Sequence, residues 1–381
     1  MKRLAILVVL LFVSPIVETS VGEPAKPWRF DPADLKPFWL SETMKGESVL
    51  FIKESAGAPP RASLLFEPEK IVSVCSSSGE TVYTEGRDYV WKRGAKDLTL
   101  PPGSRIVFKT PQDLRRAAGS QPYRLTHRDG NGEIFFGGGH EYHDMQTVVT
   151  YEHKPGAWAG PVTPFAGERL PRTLKKLTAK QPLTIALLGD SISTGCNASG
   201  WANAAPFQPP YQDLLVLNLQ AVYGANVSLK NFAVGGTGTG WGLTQTGKLI
   251  DARPDLVLLA FGMNDSAGLP AAQYQSNIQG MIDAVRKALP ETEFILVATM
   301  LGNKDWTTLH QDLFPQYRDA LAKLCGPGVA LADMTSVWAE LLKHKKDWDL
   351  TGNGVNHPND FGHRIYAQVL SALLIGDVRR N

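Results

Sequence analysis

Leu183-Thr184-Ile185-Ala186-Leu187-Leu188-Gly189-Asp190-Ser191-Ile192-Ser193 is a short apolar run that ends in a glycine and gives way to an acid and a serine. An apolar run of this length, bounded by polar residues, is the pattern of a strand buried on both faces. It recurs at 227–233, 256–261, 294–300 and 329–333. Between these runs lie stretches with helical periodicity, 211–223 and 276–289, the second carrying Ile278, Met281, Ile282, Val285 and Leu289 on one face. Alternation of this kind predicts a parallel sheet covered by helices on both sides. Such sheets bind ligands beyond the carboxyl ends of their strands, so the residues after each strand are the candidate site.

After the first strand, Ser191 stands at the start of a helix, where backbone amides and the positive helix end can receive an oxyanion. It is a candidate nucleophile, although a serine there also serves simply as a helix cap. The residue after Ile192 is Ser193, so the G-x-S-x-G elbow of the α/β-hydrolases is absent. The second strand runs into Asn231-Phe-Ala-Val-Gly-Gly-Thr-Gly-Thr-Gly240, a loop whose backbone must turn sharply or approach something closely. No register there supplies the G-x-G-x-x-G of a dinucleotide loop. Gly262-Met263-Asn264-Asp265 follows the third strand, and an asparagine amide there can donate to developing negative charge or form an ordinary turn. Beyond the fifth strand, Asn356-His357-Pro358-Asn359-Asp360 precedes a helix with Ile365, Val369 and Leu370 on one face, which lets His357 face back toward Ser191.

Upstream, 47–153 reads as short strands broken by Pro101-Pro102-Gly103 and Asp129-Gly130-Asn131-Gly132 turns. This predicts an all-β sandwich over 28–155, then a linker and short helix over 156–180, and the α/β domain over 181–381. At the start, Lys2 and Arg3 precede ten apolar residues, Leu4 to Val13, and a small-residue stretch ending near Gly22. That is the pattern of a signal peptide over 1–22, implying a secreted or periplasmic protein. Ten apolar residues fall short of the roughly 20 that span a bilayer, so no stable membrane insertion is expected once the leader is removed.

Composition excludes other classes. The chain has 381 residues and a formal net charge of +2, which provides no broad attraction to nucleic acid. Cys75, Cys196 and Cys325 are odd in number and widely spaced, so no disulfide framework carries the fold.

Over about 182–376 the strand-end residues resemble, in order and surroundings, the SGNH hydrolases of the GDSL esterase superfamily. The matches are Gly-Asp-Ser at 189–191, Asn231 followed by Gly236 and Gly242-Leu243, Gly-x-Asn-Asp at 262–265, and His-Pro at 357–358. The resemblance implies a three-layer, flavodoxin-like α/β domain. It implies Ser191 as nucleophile, His357 as general base, and the Ser191 amide, Gly236 and Asn264 as oxyanion donors, with no cofactor and no metal. The family places an aspartate three residues before the histidine, where this chain has Gly354. Asp349 can supply that acid if 349–354 loops back. A backbone carbonyl can also orient the imidazole, as in the Ser-His dyads of some carbohydrate esterases of the superfamily. Asp360 reads as a first-turn helix residue.

Cys196 has nothing nearby in sequence to lower its thiol pKa. His140, His143 and His153, with Glu141 and Asp144, resemble a metal cluster only loosely. N-x-S/T sequons occur at Asn197, Asn226 and Asn264, and a glycan on Asn264 would destroy the proposed oxyanion hole. Secreted polysaccharide deacetylases of the superfamily carry an N-terminal jelly roll, and the β region here is jelly-roll-like in its strand pattern. The expected partner is therefore an acylated small molecule or polysaccharide, with acetyl the preferred acyl group. Trp201, Trp241 and Trp306 follow strand ends and would line the cleft or pack in the core. A GDSL-type lipase, lysophospholipase or arylesterase is the alternative enzyme, and an inactive glycan-binding module the alternative of another class.

Overall fold

The computed structural model describes residues 28–376, so the leader-like segment 1–22 lies outside the described residues. In the strand-rich N-terminal region, β1 (Thr43–Val49), β2 (Pro68–Ser76) and β3 (Thr147–His153) form an antiparallel sheet in the order β1-β3-β2. Strand β3 shows the two-residue period of a half-buried strand: Thr147, Val149, Tyr151 and His153 are buried while the residues between them are not. A second sheet is built of short pieces in the order Val90–Trp91, Asp97–Thr99, Arg61–Ser63, Phe51–Ile52 and Phe108–Lys109. Its last pair is parallel and the others antiparallel. Residues 81–84 form no strand and contribute one bridge, Val82 to Cys75.

The linker leads into helix α1 (Pro171–Thr178) and then the α/β domain. Strands β4 (Leu183–Gly189), β5 (Val227–Asn231), β6 (Leu256–Ala260), β7 (Glu293–Ala298) and β8 (Val329–Asp333) form one sheet in the order β5-β4-β6-β7-β8, every pair parallel. This is the flavodoxin-like order, whose switch point lies between β4 and β6.

Both faces of the central strands are covered. Ile185, Leu187, Leu258, Ile295 and Val297 join one core with Leu215 and Leu219 of α3 (Tyr211–Tyr223) and Ile365, Val369 and Leu370 of α6 (Asp360–Leu374). Their neighbours Ala186, Leu188, Leu259 and Leu296 enter a second core with Ile278, Met281, Ile282 and Val285 of α4 (Ala271–Ala288) and Leu321 of α5 (Leu313–Lys323). The continuous apolar runs in the sequence follow directly from this arrangement, since every residue of such a strand meets a helix layer.

The first core does not stop at the linker. Phe38, Val49, Phe51, Leu65, Phe66 and Tyr151 of the strand-rich region belong to the same cluster as Trp338, Phe361 and Ile365. A buried ion pair crosses the same boundary. Lys345 Nζ donates to Glu47 Oε1 at 2.5 Å and to the Ser63 carbonyl at 2.8 Å, while Tyr151 Oη and the Leu65 amide donate to the Glu47 carboxylate. Among the described residues no helix is long and apolar enough to cross a membrane.

Candidate active site

Ser191 sits immediately beyond β4, at the switch point, as the first residue of the one-turn helix α2 (Ser191–Thr194). Asp190 caps that turn, its Oδ1 accepting from the Ile192 amide at 3.0 Å. Burial pushes the Asp190 carboxyl up to about 7. First-turn amides of a helix have no intrahelical acceptor, so the Ser191 N–H is available to a ligand.

Three loops converge on this serine. In the loop after β5, Gly236 adopts φ +76°, a left-handed conformation that favours glycine. Asn231 Nδ2 ties the start of that loop to α2 through the Ser193 carbonyl at 2.7 Å. In the loop after β6, Asn264 Nδ2 donates to the Thr237 carbonyl at 2.8 Å. Its neighbour Asp265 accepts from the Thr239 amide at 2.9 Å and hydroxyl at 2.6 Å. Two consecutive residues of one loop thus fasten the other and set the Asn264 amide beside the Gly236 turn.

His357 arrives on the third loop. Asn353 Oδ1 accepts from the amides of Val355, Asn356 and His357, and the Gly352 amide donates to the His357 carbonyl, closing the segment on itself. The imidazole Nε2 lies 2.8 Å from Ser191 Oγ. Its Nδ1 lies 2.8 Å from Oδ1 of Asn197, a residue in the loop following α2. Burial, and secondarily the neighbouring His363 ring, holds the His357 imidazole far below its ordinary value, down to about 3.

The acid expected to orient His357 is placed elsewhere. Asp349 accepts from the Leu50 amide at 2.8 Å and the Lys346 amide at 3.0 Å, fastening the two halves of the chain rather than facing the imidazole. Asp360 Oδ1 accepts from the Ser199 amide. A backbone carbonyl does not fill the role either, because the partner of Nδ1 is the Asn197 side chain. The sequence marked Asn197 only as a sequon, and at 5% exposure it has no room for a glycan. The signal available in the sequence was a negative one, a glycine where an aspartate was expected.

Of the three tryptophans, Trp201 is exposed, Trp241 packs edge-on to Phe261 in the helix layer, and Trp306 packs against the cluster holding Val355, two residues before His357. Cys196 is raised in pKa by burial and its sulfur contacts Thr194 Oγ1, so it has no thiolate character. The upstream histidines do not converge: His140 pairs with Asp144, His143 with the Ala205 carbonyl and His153 with the Lys154 carbonyl. Among the described residues no cluster of three or more His, Cys, Asp or Glu is placed to hold a metal ion.

Residues 187–365 match the GDSL-like lipase/acylhydrolase family. No curated protein matches the chain. Similar solved structures include a two-domain esterase active on acetylated mannans, crystallised with mannopentaose, at 21% identity and TM-score 0.45, covering 58% of this chain and 56% of that one. A lipase from the goat rumen metagenome (19% identity, TM-score 0.41) is covered over 96% of its length by 50% of this chain. A carbohydrate esterase family 3 protein from Talaromyces cellulolyticus (16%, TM-score 0.39) is covered over 94% of its length by 49% of this chain. The chain thus spans only about half of the two-domain esterase. The family match covers every residue that converges on Ser191 from the α/β domain, and over 187–365 this chain is similar to the GDSL-like lipase/acylhydrolase family.

Proposed function

We propose that the protein hydrolyses short-chain carboxylic esters, acetyl esters of carbohydrates foremost, through an acyl-enzyme on Ser191. The observation that carries this reading is the 2.8 Å contact between Ser191 Oγ and His357 Nε2 at the sheet's switch point. His357, neutral and aligned on the hydroxyl, takes its proton as the oxygen attacks the ester carbonyl. The amides of Ser191 and Gly236 and the free hydrogen of Asn264 Nδ2 receive the oxyanion. Protonated His357 then delivers its proton to the leaving alcohol. Water, deprotonated by the same imidazole, releases the acid.

Exposed Trp201 offers an aromatic face to a sugar ring, and the leader-like segment 1–22 supports export to the periplasm or beyond.

Acetate release from acetylated xylan, mannan and pectin, alongside turnover of p-nitrophenyl acetate and p-nitrophenyl palmitate, tests the proposal. Release from at least one glycan with little palmitate turnover is expected. Acetate-ester turnover with no release from any glycan would remove the carbohydrate reading, and preference for palmitate would replace it with a lipase.

A further inference from the structure

We propose that Asn197 is the positioning residue of the Ser191–His357 pair, and that three backbone carbonyls lock its side chain as a neutral amide where a carboxylate would not fit. The proposal rests on the ester-hydrolase reading above and specifies how its base is held.

Asn197 lies at φ +63°, a left-handed conformation that asparagine tolerates better than most residues. Its Nδ2 donates into a cage of carbonyls: Gly139 at 2.9 Å, Gly352 at 3.1 Å and Gly137 at 3.3 Å. All three groups are acceptors, so the NH2 end must face them and Oδ1 must face the imidazole. Because Oδ1 can only accept, the proton of the neutral imidazole is held on Nδ1. The lone pair is thereby left on Nε2, 2.8 Å from the Ser191 hydroxyl.

The usual alternative is sterically closed. Gly354 stands where the aspartate was expected, at φ +78°, and a Cβ added there would overlap the phenol oxygen of Tyr142. Tyr142, Gly137 and Gly139 all belong to the strand-rich region, so that region both blocks the position of the acid and supplies two of the three carbonyls that fix its replacement.

The electrostatic consequence separates this arrangement from an acid-containing triad. An aspartate fixes the tautomer and also stabilises the imidazolium. A neutral amide does only the first. With no negative charge against Nδ1, burial dominates and the imidazole stays unprotonated far into the acid range.

The test uses the full chain with p-nitrophenyl acetate, comparing wild type, Asn197→Ala, Asn197→Asp and Ser191→Ala. Asn197→Ala is expected to lower kcat by roughly 10- to 1000-fold with KM changed less than about threefold, since the amide touches the base and not the substrate. Asn197→Asp is expected to stay below wild type, because a carboxylate oxygen would face three carbonyls. It is also expected to move the acid limb of kcat/KM toward higher pH, because the new charge favours imidazolium. Wild-type kcat in Asn197→Ala, or an Asn197→Asp enzyme more active than wild type, would overturn the proposal. If the variants do not fold, nitrogen NMR of the wild-type His357 ring decides: the Nδ1–H tautomer supports the assignment and the Nε2–H tautomer overturns it. Full activity in Ser191→Ala would instead remove the acyl-enzyme on Ser191, and a wild type that turns over no ester would remove the ester-hydrolase reading itself, so these failures are distinguishable from that of Asn197.

Discussion

At the scale of single residues, the proposed chemistry depends on a proton and an oxyanion, each with its own signature. Asn264 has one amide hydrogen committed to the Thr237 carbonyl, which leaves the other for the proposed oxyanion contact. Losing one such donor typically costs about 2.7–4 kcal/mol of transition-state stabilisation, so Asn264→Ala should keep its fold and lose roughly 100- to 1000-fold in kcat on p-nitrophenyl acetate. Unchanged turnover would take Asn264 out of the site. The base has a pH signature. As the proposed base, His357 acts only when unprotonated, and burial lowers it to about 3 from an ordinary 6.5. The acid limb of kcat/KM should therefore lie well below pH 6.5, with activity nearly level from mildly acidic to neutral pH. A limb at the ordinary imidazole position would show that His357 is solvated or paired with a charge. The sequence singles out Ser191, His357, Gly236 and Asn264 because each follows a strand end in a fixed order, and the fold sets Ser191 and His357 2.8 Å apart; Asn197 is not legible in this way, because the carbonyls around it are 155 residues later at Gly352 and 58 residues earlier at Gly139.

At the scale of elements, the site consists of loops whose conformations are fastened to one another. The segment carrying His357 is closed by Asn353 and clamped from β7's side, where Asn303 Nδ2 donates to the Gly354 carbonyl at 2.9 Å. Gly354→Ala tests that segment. The left-handed backbone alone should cost about 1–2 kcal/mol in a non-glycine residue, and displacement of Tyr142 adds to it. The variant should melt earlier and lose activity together, as read by thermal denaturation and esterase assay. Normal melting and activity would mean that Tyr142 yields without cost. The strands and helices of the α/β domain were legible because their period is local: alternate residues of β4 enter opposite cores, and α4 shows its apolar face to one side. The strand-rich region was legible only as a class. The pieces of its second sheet are two or three residues long, and pairing between distant short strands leaves little mark in the local pattern.

At the scale of the whole molecule, the two regions behave as one body. The shared core and the fully buried Glu47–Lys345 pair span the linker, as do Asp349 to Leu50 and Asn359 Nδ2 to Ser48 Oγ. Removing one member of such a pair strands an uncompensated buried charge, at a cost of about 3–5 kcal/mol. Lys345→Ala should therefore lower stability by that amount in denaturant titrations, although it lies outside the Ser191 site. Calorimetry of the wild type should show a single transition, and two separated transitions would show that the regions fold independently. The parallel sheet and the strand-end places of Ser191, Gly236, Asn264 and His357 were determined by the sequence, since burial on both faces and chain order are written locally. What orients the base was decided only by tertiary structure. A backbone carbonyl has no residue identity to read, and the amide at Asn197 acquires its role from carbonyls that folding alone brings around it.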